Sequence, residues 1–69
     1  MLLMKKVKFS RGVYSDSTIT RTTQAYRNHA VVSVKYSGDY AIVTFWKCKY
    51  GEDITIKEFE NYMISVENS

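Results

Sequence analysis

Ala30–Lys49 reads AVVSVKYSGDYAIVTFWKCK. Two runs of β-formers, Val31–Tyr36 and Tyr40–Cys48, flank the turn residues Ser37, Gly38 and Asp39. β-Branched and aromatic residues on either side of a short Gly/Asp loop signal a β-hairpin. The second run is apolar on both alternating faces, with Ala41, Val43 and Phe45 on one and Ile42, Trp46 and Cys48 on the other. A strand with two apolar faces belongs in the centre of its sheet.

Working outward, Lys5–Phe9 alternates Lys5, Val7 and Phe9 against Lys6 and Lys8, the period-2 pattern of a half-buried strand. Ser10-Arg11-Gly12 breaks it. Ser15 or Asp16 then caps a helix, whose stripe of Ile19, Thr22 or Thr23, Tyr26 and Ala30 faces the sheet. Thr18, Thr20, Thr22 and Thr23 weaken its intrinsic propensity, so it depends on packing. Asn28 and His29 suit its C-terminus, where an imidazolium meets the negative end of the dipole. A last helix is expected to start at a capping box, with Thr55 at N-cap and Glu58 at N3, and Ile54 stapled to Phe59. Ile56, Phe59, Met63 and Val66, with Tyr62 alongside, form its apolar stripe, and Glu58, Glu60 and Glu67 are solvated.

The order β-α-β-β-α with a central third strand predicts an α+β fold, a two-layer sandwich. Its three-stranded sheet contains a split β-α-β unit whose first two strands run parallel. Both helices then lie on one face, leaving the other face and both edges open. Residues 1–69 form one domain, with residues 1–4 and 67–69 expected to be flexible and Met4 an alternative start to Met1.

The uncovered face collects Trp46, Ile42 and Tyr40 with Lys6, Lys8 and Lys35, the candidate partner-binding residues. An apolar patch ringed by polar groups marks an interaction surface. The competing reading has Trp46 covered by the N-terminal segment or by Tyr50. Residues 1–49 carry nine Lys/Arg against Asp16 and Asp39, whereas residues 50–69 carry Lys57 against Glu52, Asp53, Glu58, Glu60 and Glu67. That polarity suits an acidic partner or head-to-tail self-association. Trp46, Ile42 and the thin core lead to the expectation of a homodimer, formed by two uncovered apolar faces or two edges about a two-fold axis.

The single cysteine, Cys48, forms no internal disulfide, and Met1-Leu2-Leu3-Met4 is far too short for a signal peptide or a membrane span. The expectation is a soluble cytoplasmic protein with no membrane partner. No Gly-rich phosphate loop, His/Cys metal spacing or nucleophile–base pair is present, so no enzyme activity, catalytic residue, cofactor or metal is expected.

Val13-Tyr14-Ser15, Ala25-Tyr26-Arg27, Val32-Ser33-Val34, Gly38-Asp39-Tyr40, Ala41-Ile42-Val43-Thr44-Phe45 and Glu58-Phe59-Glu60-Asn61-Tyr62 occur in this order. In this succession, spanning residues 13–66, the chain resembles the HxsD-like family, small companions of radical-SAM enzymes in His-Xaa-Ser peptide maturation systems. It departs from that family after Asn61, where Tyr62 follows directly and no arginine comes later. The resemblance implies a non-enzymatic accessory of a ribosomal peptide (RiPP) modification system. Such an accessory engages a precursor peptide or its radical-SAM maturation enzyme through the open sheet face or edge. The alternatives are a small basic nucleic-acid-binding module, since aromatics among lysines can stack bases, and an inhibitor that masks a larger protein.

Overall fold

The computed structural model describes residues 4–69, so the expectations for residues 1–3, including the choice of start, lie outside the described residues. The chain runs β1 (Met4–Ser10), α1 (Asp16–Ala25), β2 (Val31–Ser37), β3 (Tyr40–Trp46) and α2 (Glu52–Glu67). The sheet order is β1-β3-β2, with both outer strands antiparallel to β3 and therefore parallel to each other. This is the expected α+β sandwich with a split β-α-β unit and an open sheet face.

The alternation of β3 sorts the layers. Ala41, Val43 and Phe45 are wholly buried on the helix side, with Ile19 of α1 and Phe59 and Met63 of α2. The Phe45 and Phe59 rings meet edge to face at 5.0 Å and 87°. Phe9 stacks on Phe59 at 6.1 Å, and Tyr26 approaches it edge-on at 5.5 Å, so one ring joins β1, β3 and the end of α1. The β2–β3 connection is a two-residue turn in which Gly38 adopts φ +57°, the positive φ that a primed hairpin turn requires at its first central position.

Ser15 caps α1, its Oγ accepting from the Thr18 N–H at 3.3 Å. Thr22 and Thr23 donate their hydroxyls to the carbonyls of Thr18 and Ile19, each at 2.8 Å. The threonines therefore sit against the core with their polar atoms satisfied.

Several local expectations differ. α2 begins three residues before the expected capping box, at Glu52 after Gly51. Thr55 lies inside the first turn and donates its hydroxyl to the Gly51 carbonyl at 2.8 Å, while Ile54 points outward, 56% exposed. The helix gains an extra turn with Glu52 and Asp53 at its positive end, which the macrodipole favours. α1 ends at Ala25, so His29 lies beyond its dipole. Its ring packs beside Tyr26 at 5.4 Å instead, and its carbonyl accepts from the Lys49 N–H at 2.9 Å. Met4 and Glu67, expected in flexible ends, carry structure. Met4 pairs with Trp46. Glu67 Oε1 accepts from the Ser15 N–H at 2.9 Å and the Thr18 hydroxyl at 2.7 Å, tying the end of α2 to the start of α1.

Two predictions follow from this packing. Phe45→Ala removes the ring on which both layers close and is expected to cost about 3–5 kcal/mol, read as a fall in the denaturation midpoint. The hydrogen bonds from the Ser15 N–H and then the Thr18 hydroxyl hold the Glu67 carboxyl below its ordinary value. A carboxylate stabilised in the folded state contributes above its unfolded value, and that contribution disappears as pH falls through the folded one. Glu67→Gln is therefore expected to lower the midpoint at neutral pH and to converge with the wild type in acid. A constant difference across the pH range would contradict this role.

Candidate functional site

The face opposite the helices is built by the register of three strands. Its rows are Met4–Trp46–Val31, Lys6–Thr44–Ser33, Lys8–Ile42–Lys35 and Ser10–Tyr40–Ser37, each centred on a β3 residue. All six sequence-predicted residues, Trp46, Ile42, Tyr40, Lys6, Lys8 and Lys35, fall on this one face. The rows form three zones. Trp46 lies between Met4 and Val31 at an apolar end, and Tyr40 lies between two serines at the other. Between them three lysines surround Thr44 and Ile42.

Burial follows position in the sheet. Ile42, Thr44 and Trp46 on the central strand are half-buried by their lateral neighbours, whereas Lys6, Lys8 and Lys35 on the outer strands are exposed. Tyr50 does not lie over Trp46 as a lid: it is 66% exposed, with its ring beside His29 at 6.4 Å. Lys8 extends Nζ to 4.8 Å from the centre of the Tyr40 ring, a cation–π contact one row along the sheet. The four rows contain no carboxylate. Lys5, one residue from Lys6, projects to the helix side instead and pairs with Asp53. The face is therefore cationic at its middle and aromatic at its ends. It can attract negative charge, and its rings can stack against a planar or apolar group.

Cys48 is not part of this face, a correction to the strand alternation. β3 ends at Trp46, and Lys47 takes φ +54°. That left-handed residue reverses the direction of the next side chain, and Cys48 packs against the core cluster, half-buried. Burial pushes its thiol up, away from the thiolate form that reacts.

Two features escaped the sequence reading. Arg11 clasps Asp16 through Nε at 3.1 Å and Nη2 at 2.8 Å, and donates through Nη1 to the Gly38 carbonyl at 2.8 Å. Its guanidinium also lies 4.7 Å from the Tyr36 ring centre, so one side chain anchors the hairpin turn to the start of α1. The arginine holds the Asp16 carboxyl below its usual range. The second feature is a groove of about 290 Å³ between α1 and the edge strand β2, with Thr20, Thr23 and Arg27 above Val32, Val34 and Tyr36. Only the alternation of Val32, Val34 and Tyr36 hinted at it in sequence. Tyr36, on the helix side of β2, is 41% exposed there.

Among the described residues no cluster of three or more His, Cys, Asp or Glu is placed to hold a metal, and no helix is long and apolar enough to cross a membrane. Compared with known proteins, the chain matches no family model, no curated protein and no solved structure.

Proposed function

We propose that this chain is a non-enzymatic binding protein that holds a segment of a peptide or protein on its open sheet face. The observation that carries this reading is the convergence of Trp46, Ile42, Tyr40, Lys6, Lys8 and Lys35 on one face without a carboxylate among them. A segment that pairs acidic residues with one apolar or aromatic side chain matches its layout. The acids meet the lysines, and the apolar group lies over Ile42 or Trp46. The resemblance to HxsD-like proteins adds the context: the segment belongs to a ribosomal precursor peptide or to the radical-SAM enzyme that modifies it. In that role the protein recruits and orients and leaves the chemistry to its partner.

The apolar contacts dominate such binding, because exposed lysines are screened and each contributes little. Trp46→Ala is therefore expected to weaken binding of a His-Xaa-Ser type precursor peptide more than Lys6→Gln, Lys8→Gln or Lys35→Gln alone. The salt dependence is expected to be shallow. A nucleic-acid module using the same face behaves differently, losing roughly 10³–10⁵-fold in affinity between 50 and 200 mM salt for six to ten phosphate contacts. Parallel titrations with the peptide and with single-stranded oligonucleotides distinguish the two. Tight oligonucleotide binding with a steep salt slope, and none to the peptide, would overturn the proposal.

A further inference from the structure

We infer that the β2 edge is occupied by a second copy of this chain, with β2 pairing antiparallel to β2 about Val34 to join two three-stranded sheets into one. The first argument is which backbone groups are free. The Arg11 N–H donates to the Asp39 carbonyl at 2.8 Å, so that carbonyl faces the β1 side. Alternation along an antiparallel strand then turns the backbone groups of Tyr40, Ile42, Thr44 and Trp46 towards β2. Their register partners Ser37, Lys35, Ser33 and Val31 bond to β3. Val32, Val34 and Tyr36 therefore direct their N–H and C=O groups away from the sheet. The same alternation leaves Met4, Lys6 and Lys8 pointing outward along β1, while the Ser10 carbonyl accepts from the Val13 and Tyr14 N–H groups.

The second argument is self-complementarity. A two-fold axis normal to the sheet must place outward groups opposite outward groups, and residues of one face opposite residues of the same face. Centring on Val34 meets both conditions and overlaps the whole of β2, Val31–Ser37. Val34 then faces the partner's Val34, Val32 faces the partner's Tyr36, Ser33 the partner's Lys35, and Val31 the partner's Ser37. No charge stands opposite a like charge. On the helix side the partner's Tyr36 comes against Val32 and covers the groove lined by Val32, Val34 and Tyr36. Arg27, the one charged residue in that groove, precedes β2 by four residues, so its two copies lie at opposite ends of the pairing.

The third argument is the contrast with β1. Full overlap of β1 about Val7 places Lys6 opposite the partner's Lys8, twice over, and like charges directly opposite destabilise a pair. Lysines of this kind are how sheets protect an edge, whereas β2 has one lysine, no proline and an unbroken register. Joining at β2 leaves the open face accessible and doubled, with its two halves on the same side of the sheet. The dimer therefore stands or falls apart from what that face binds.

Sedimentation equilibrium at micromolar protein is expected to give twice the 8.0 kDa chain mass. In a Cys48→Ser background, Ser33→Cys and Lys35→Cys chains are expected to form a covalent dimer when mixed and little when either is alone. Ser33 and the partner's Lys35 would be a directly opposed non-hydrogen-bonded pair, with Cα atoms about 4.5 Å apart, within disulfide reach. Ser33→Lys is on the exposed face and sets two lysine pairs in opposition, so the dimer dissociation constant is expected to rise about tenfold. A single-chain mass throughout would overturn the inference. So would a dimer indifferent to Ser33→Lys, or cross-linking of Ser33→Cys alone as readily as the mixture.

Discussion

The contact between Phe45 and Phe59 positions everything else. Both rings are fully buried, and they belong to the central strand and to the longer helix. Once they meet edge to face, α2 is fixed over β3 and β1, and Phe9 stacks on the same ring from the side. Among the described residues, the two helices cover one side of the three-stranded sheet. β3 is nonetheless apolar on both sides. Among the described residues, its second set of side chains, Ile42 and Trp46 with Thr44 between them, is sheltered by residues of β1 and β2. The open face is thus the second side of a strand patterned for the centre of a sheet.

Polar contacts stabilise what this small core cannot. α1 is short and rich in threonine, a poor combination for an isolated helix. Its hydroxyls bond back to the preceding turn at Thr22 and Thr23, and Ser15 closes the N-terminus. Glu67 adds a second acceptor at that end from the last turn of α2. The two helices therefore meet through aromatics at one level and through a carboxylate and hydroxyls at another. A carboxylate at a helix N-terminus is also favoured by the dipole, so the same contact serves both bonding and electrostatics.

The sequence was informative wherever a side-chain period of two carries the information. The double-sided pattern of β3 predicted the sheet order, and alternation in three strands assembled the six residues of the open face. It failed where a single backbone torsion or a distant contact decides the outcome. Lys47 adopts a positive φ that a lysine does not advertise, and that one torsion moves Cys48 from the outer face to the core. Thr55 and Glu58 have capping-box spacing, yet the Thr55 hydroxyl bonds back to the Gly51 carbonyl four residues earlier, the other local bond open to a threonine in a helix. Glu67 meets Ser15 across 52 residues, and Arg11 meets Gly38 across 27, separations that no local pattern reports.

The placement of lysines gives the domain a direction. Lys5 and Lys6 are adjacent in the chain and opposite in fate, one tied to Asp53 beside α2 and the other on the open face. Lys6 and Lys8 share that face with Lys35, and their backbone groups also form the free edge of β1. The lysine side chains make that edge cationic, and two such edges placed side by side would repel. The opposite edge, β2, is nearly neutral and lined on its helix side by valines and a tyrosine, so shape and backbone pairing govern it. One margin of the sheet is thus cationic and the other nearly neutral. Between them lies a face that is cationic at its middle and aromatic at its ends. The two edges and the face present three different chemistries, each set by which residues the strand alternation turns outward.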